Sequence, residues 1–212
     1  MKKNFIILLL LLGFHFLTNG QKFAIGADKN NILYIGIDNP LTIAAENLSS
    51  KSIIVRASNG SIDGENGRFS FRGDKVGPTV ITLYKLLNKK LIKIGSNYFR
   101  VKRIPPPIFK IGPGEDTISK AVLQAQLYVR ADLEGDLGFD LRCPVDSFTV
   151  CIFSFDPCRY VEKYNVGNKI SEEIINKFKT LKQNDIVIFK DILCIMPDGK
   201  VKLDSRMLTV TQ

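Results

Sequence analysis

Apolar and polar residues alternate with a period of two through much of the first half of the chain. Arg68-Phe69-Ser70-Phe71-Arg72 puts both phenylalanines on one side and the polar residues on the other. That is the pattern of a strand with one buried face. Ile32 to Ile35, Leu41 to Ala45, Ser52 to Ala57, Pro78 to Leu86 and Leu91 to Ile94 are further short runs of this kind. Between them stand the turn signals Asp38-Asn39-Pro40, Asn59-Gly60, Asp63-Gly64 and Asn88-Lys89. Asn59-Gly60 predicts a hairpin if its flanking strands pair. Strands recurring about every ten residues predict a small Ig-like β-sandwich.

Tyr98 to Lys102 alternates once more, and Pro105-Pro106-Pro107 follows. Prolines give no N–H to a ladder and hold the chain extended. The boundaries expected are therefore a β-sandwich over 21–104, a proline linker at 105–107 and a second domain over 108–212. In the second domain Ser147 to Phe155 is almost continuously apolar, as in a strand buried on both faces. Ile186 to Met196 and Val201 to Val210 flank Pro197-Asp198-Gly199, which reads as a hairpin loop. Thr117 is placed to cap a short helix over 118–126. A helix over 171–182 has Ser171 as its cap, Glu172 and Glu173 at its positive end, and Ile174, Ile175, Phe178 and Leu181 on one face. The fold class is mainly β: an Ig-like β-sandwich, then a β-rich α+β domain with one or two short helices.

The first 20 residues stand apart from this pattern. Lys2 and Lys3 precede an apolar run from Phe5 to Leu17, and Thr18 and Gly20 are small enough for cleavage before Gln21. This predicts an export signal over 1–20, too short to span a bilayer, which needs roughly 20 apolar residues. Gln21 is no cysteine, so the protein is not expected to be a lipoprotein; a periplasmic location is. No later stretch is apolar enough for a transmembrane helix. The formal charge is +9, and +7 once Lys2 and Lys3 are removed.

The one histidine, His15, lies in the signal segment, and there is no Trp. A Ser-His-Asp or Cys-His nucleophile system and a histidine metal site are thereby excluded from the mature chain. No enzyme activity and no cofactor are expected. The four cysteines, Cys143, Cys151, Cys158 and Cys194, all lie in the second half. In an exported protein they are available for disulfides in three pairings, and buried free thiols are the equal alternative.

From Lys75 to Gly114 there are nine Lys or Arg and no acid. Lys89, Lys90, Arg100, Lys102 and Arg103 form the candidate partner-binding patch, suited to an acidic protein or an anionic head group. The plainer alternative is a set of solvated strand faces on which Lys blocks edge pairing. Nucleic acid is not an expected partner, because no aromatic-basic recognition motif accompanies the charge. Asp132, Glu134, Asp136 and Asp140 have the spacing of a calcium loop at the start. But Leu137 replaces the turn glycine and Cys143 the closing glutamate, so no metal is expected. Asn47-Leu48-Ser49 matches a glycosylation acceptor.

Asn31 to Leu41, with the run Leu33-Tyr34-Ile35-Gly36-Ile37-Asp38-Asn39-Pro40, resembles the opening of the C-terminal periplasmic region of the GldM/PorM family of gliding motility and type IX secretion in Bacteroidetes. Phe99 to Pro105 is similar to the boundary between that family's last two domains. Ile118 to Leu133, Phe148-Thr149-Val150 and Ile192 through Gly199 are similar to its final domain. The resemblance covers nearly all of 23–212. It implies a non-enzymatic, homodimeric, β-rich module that binds periplasmic or outer-membrane-associated proteins such as type IX ring components. Family members begin with an inner-membrane helix, for which a signal segment is expected here, so the module is expected to lack the motor part. The alternative is an exported adhesin-like or glycan-binding β-sandwich, for which Tyr84, Tyr98, Tyr128, Tyr160 and Tyr164 offer aromatic faces.

Overall fold

A computed structural model describes residues 23–27, 31–46, 52–113, 116–135 and 141–212. The expected signal over 1–20, the acceptor at Asn47, and Asp136 and Asp140 lie outside them. The chain is mainly β and divides into two compact units between Lys102 and Arg103.

The first unit contains β1 (Phe23–Ala27), β2 (Ile32–Tyr34), β3 (Asn39–Ala45), β4 (Ile53–Ala57), β5 (Ser61–Glu65), β6 (Arg68–Arg72), β7 (Gly77–Leu87) and β8 (Lys90–Lys102). They form two four-stranded sheets, β1-β3-β6-β5 and β2-β8-β7-β4. All pairs are antiparallel except β2 with β8. The inward residues of both sheets make one core, including Leu41, Ile43 and Phe71 from one and Ile81, Leu83 and Phe99 from the other. Two-sided alternation thus becomes a sandwich because each sheet has a single apolar face to bury.

Two turn expectations change. Asn59-Gly60 does not close a hairpin: β4 pairs with β7 and β5 pairs with β6, so the chain crosses here from one sheet to the other. Asn59 holds the crossing, donating through Nδ2 to the Lys75 carbonyl at 2.9 Å. Asp63-Gly64 lies inside β5. There a side chain on Gly64 would stand 2.3 Å from the Arg68 carbonyl, so glycine serves close strand approach rather than a turn. The turn falls at Asn66-Gly67, with φ of 55° and 82°. Asn88 and Lys89, with φ of 50° and 64°, close the β7–β8 hairpin in two residues, as their position between the strands predicts.

The second unit contains β9 (Ile108–Lys110), β10 (Thr117–Ser119), α1 (Lys120–Ala125), β11 (Arg130–Asp132), β12 (Val145–Phe155), β13 (Cys158–Val166), α2 (Glu172–Phe178), β14 (Ile186–Met196), β15 (Gly199–Lys202) and β16 (Arg206–Thr211). The main sheet has the order β10-β16-β14-β12-β13, with β15 paired to β14. Its inner face carries Phe148 and Phe189, whose rings meet Phe109 of β9 at 6.3 and 5.3 Å. Leu123 of α1 and Ile174 and Phe178 of α2 are fully buried.

Both helices are shorter than expected. Thr117 is a strand residue, paired with Thr209. The cap of α1 is Ser119, whose Oγ accepts from Val122 N at 3.2 Å. Ser171 occupies the cap position of α2 without bonding through its side chain. Its N–H instead donates to Asn165 Oδ1 at 2.9 Å. The buried Asn165 also donates to the carbonyls of Val166, Gly167 and Lys169, tying the end of β13 to the start of the helix. The run expected over 201–210 is divided, its halves separated by Leu203, Asp204 and Ser205.

Candidate functional site

The outward face of β2-β8-β7-β4 follows from register. Phe99 and Val101 of β8 are buried, so Tyr98, Arg100 and Lys102 project the other way. Val80 stands opposite Tyr98 and Pro78 opposite Arg100. Further along the same face Arg56 lies over the Tyr84 ring at 5.9 Å, a cation–π distance. Tyr98 is 74 % exposed. The result is an open sheet face of tyrosine and cationic side chains with no acid in the strands β7 and β8.

The five patch residues are not one cluster. Lys89 sits in the hairpin turn and Lys90 opens β8, whereas Arg100 and Lys102 close it. Ten residues of extended strand separate Lys90 from Arg100, roughly 30 Å. Arg103 falls in the second unit, where its guanidinium is paired with Asp198, a side chain only 7 % exposed. The hairpin end is chemically distinct, because Leu86, Leu87, Leu91 and Ile92 are exposed there among its lysines.

A second face was not foreseen. Ser147 to Ile152 is buried on both sides, and beyond it Phe153 and Phe155 are exposed. Cys151 stands opposite Glu162, and its sulfur accepts from Tyr160 Oη at 3.4 Å. Tyr160 also bonds Glu162 and packs on Phe153 at 4.8 Å. Lys190 pairs with Glu162 at 3.2 Å. The Cys151 and Glu162 contacts push the Tyr160 hydroxyl well above the usual phenol range. Tyr160 and then Lys190 hold Glu162 below the carboxylate range. Tyr164 and Met207 remain exposed on this side. Alternation within Tyr160-Val161-Glu162-Lys163-Tyr164 carried the signal for such a face.

Asp132 of the acidic cluster ends β11 and pairs with Lys110 at 3.5 Å. No group of three or more metal-ligating side chains occurs among the described residues. A groove of about 300 Å³ runs beside Pro106, Pro107 and Leu203. Its rim cations, Lys202 and Arg206, are bound to Asp191 and Asp116. All four cysteines are free thiols, with Cys158 exposed and the others buried.

Comparison with protein families gives two adjacent matches. The GldM third domain matches residues 22–102 and the GldM C-terminal domain matches 105–208. The chain belongs to the GldM family. It is therefore a protein related to gliding motility and type IX secretion. No curated protein matches it. The two family domains coincide with the sandwich and the α+β unit, and they meet within two residues of the point where those units divide. No helix of the described residues is long and apolar enough to cross a membrane.

Proposed function

We propose that this protein is a non-enzymatic periplasmic binding module, equivalent to the outer-membrane-proximal end of a gliding and type IX secretion shaft. The observation that carries the reading is the succession of third and C-terminal GldM domains over almost the whole described chain. The family is one of structural motor components. The module works by surface complementarity, as a homodimer, against an acid-rich protein of the same apparatus. The face around Tyr98, Arg100 and Lys102 supplies the cationic side of that contact. Lys89, Lys90 and Arg103 contribute less: the first two stand at the far end of the hairpin, and the third is engaged by Asp198.

The test is crosslinking of an epitope-tagged copy in its own host, with capture and identification of its partners. Enrichment of type IX or gliding components, lost when Arg100 and Lys102 are both changed to Glu, is the expected result. Capture of those components unchanged by the double substitution would remove the face from the account. Recovery of the tagged chain alone would overturn the reading. Fractionation of the same cells tests the periplasmic location.

The exposed rings of Tyr98, Tyr160 and Tyr164 favour one alternative, an exported glycan-binding module. A glycan array separates the two: saturable binding lost in Tyr98→Ala or Tyr164→Ala would favour it.

A further inference from the structure

β12 and β14 are neighbours whose ladder is interrupted by register shifts at Val145/Ser147 and Ser147/Thr149. Cys143 stands just before this irregular stretch. The next residue, Pro144, accepts from Ile195 N at 3.0 Å through its carbonyl. Ile195 follows Cys194, the ladder partner of Val145. The two cysteines are thus brought side by side, near enough for each thiol to bear on the other's ionisation, while the Cys194 thiol donates to the Ile195 carbonyl at 3.8 Å. Both are buried, Cys194 completely. The remaining cysteines face other residues: Cys151 lies opposite Glu162 and Ile188, and Cys158 opposite Phe155.

We propose that Cys143 and Cys194 form a disulfide site, which staples the start of β12 to β14 and leaves Cys151 and Cys158 as thiols. Of the three pairings that four cysteines allow, the fold brings only this pair into contact. The bond closes the part of the ladder where backbone pairing is weakest. It also fixes the strand that leads into the hairpin carrying Asp198.

Formation is a thiol–disulfide exchange. The Cys143 thiolate attacks one sulfur of a disulfide oxidant and expels its other half as a thiolate. The Cys194 thiolate then attacks the Cys143 sulfur of the mixed disulfide and expels the second half. Two protein thiols lose two protons and two electrons, and one oxidant disulfide becomes two thiols. Burial raises the Cys143 thiol, and burial with the Cys143 contact raises Cys194 to about 11. These two buried residues are thiols rather than thiolates in the folded protein at neutral pH, so the bond forms while the strands are still assembling. Once formed it is shielded from reductant.

The test uses the full chain from residue 21, reduced in denaturant and refolded in a mixture of glutathione and glutathione disulfide. Remaining thiols are alkylated in denaturant, and peptides are mapped by mass spectrometry. Most of the monomer is expected to carry a Cys143–Cys194 link, with Cys151 and Cys158 alkylated. The link is expected in Cys158→Ser and absent from Cys143→Ala. Its reduction by dithiothreitol is expected to be at least about tenfold slower in the native protein than in urea. Four alkylated cysteines, a Cys151–Cys158 link, or glutathione adducts without a cross-link would each overturn the proposal. The map of the unsubstituted chain decides even if Cys143→Ala fails to fold.

Discussion

Asn39 and Tyr34 are locked together by a reciprocal pair of hydrogen bonds. Asn39 Oδ1 accepts from Tyr34 N at 2.7 Å, and Nδ2 donates to the Tyr34 carbonyl at 2.8 Å. The same amide donates to the carbonyls of Ile37 and Phe71 at 3.0 and 3.1 Å. One buried side chain thus completes the turn between β2 and β3 and ties it to β6. Asn39→Ala strands buried backbone groups and is expected to destabilise the first unit by about 2–4 kcal/mol. Denaturant unfolding measures this, and a loss under about 0.5 kcal/mol would show that water replaces the amide.

Gly95 of β8 has the Phe23 ring where its own side chain would stand, 1.8 Å from an ideal Cβ. Gly95→Ala is expected to push that ring off the core and cost about 1–3 kcal/mol. Hydrogen exchange should speed in β1. In a Phe23→Ala background the same change should be nearly silent; equal costs in both backgrounds would place the strain in β8 itself.

Arg103→Ala leaves the Asp198 carboxylate short of its cation in a site with little access to water. The expected cost is about 1–2 kcal/mol, less than for a fully buried pair because the arginine side is open. A double-mutant cycle with Asp198→Asn should return a coupling of that order. Zero coupling would mean that Arg103 is free to serve a partner.

The two ends of the β7–β8 hairpin should separate in binding. Arg100→Glu with Lys102→Glu is expected to weaken capture of an acidic partner about tenfold or more and to reduce its salt dependence. Lys89→Glu with Lys90→Glu is expected to change it less than about threefold. Surface plasmon resonance at two salt concentrations reads both. The opposite order would move the contact to the hairpin tip.

The reduced protein should lose stability in alkali. Cys194 is raised from 9.0 to about 11 in the folded state, so its folded form holds a proton that the unfolded chain gives up. The contribution is complete below about pH 9 and falls away as pH rises to about 11, by about 2–3 kcal/mol in all. Cys194→Ala should flatten that slope. An unchanged slope in the variant would assign it to other groups.

Much of the architecture is legible because strands announce themselves locally. Phe69 and Phe71 alternate with Arg68, Ser70 and Arg72 whatever the rest of the chain does, and the structure turns both rings inward. Asn88 tolerates the left-handed backbone that a two-residue hairpin needs, and Lys89 is held in it by the pairing of Leu87 with Lys90. Helix ends were less legible. Ser119 and Thr117 are both acceptable caps, and pairing of Thr117 with Thr209, some ninety residues away, decided between them.

The sequence by itself determined most strands of the first unit and the long apolar strands of the second, which side of the alternating ones is apolar, the positive charge of 75–114 and the absence of histidine chemistry after residue 20. Its motifs also carried the family. Only the tertiary structure decided that Asn59-Gly60 joins two sheets, that Lys90 and Arg100 stand at opposite ends of one strand, that Asp198 engages Arg103, and that Cys143 meets Cys194. The reason is range. A period of two is a property of the local backbone, whereas strand partners are chosen by burial and hydrogen bonding summed over the whole domain, and no short stretch of residues contains that sum.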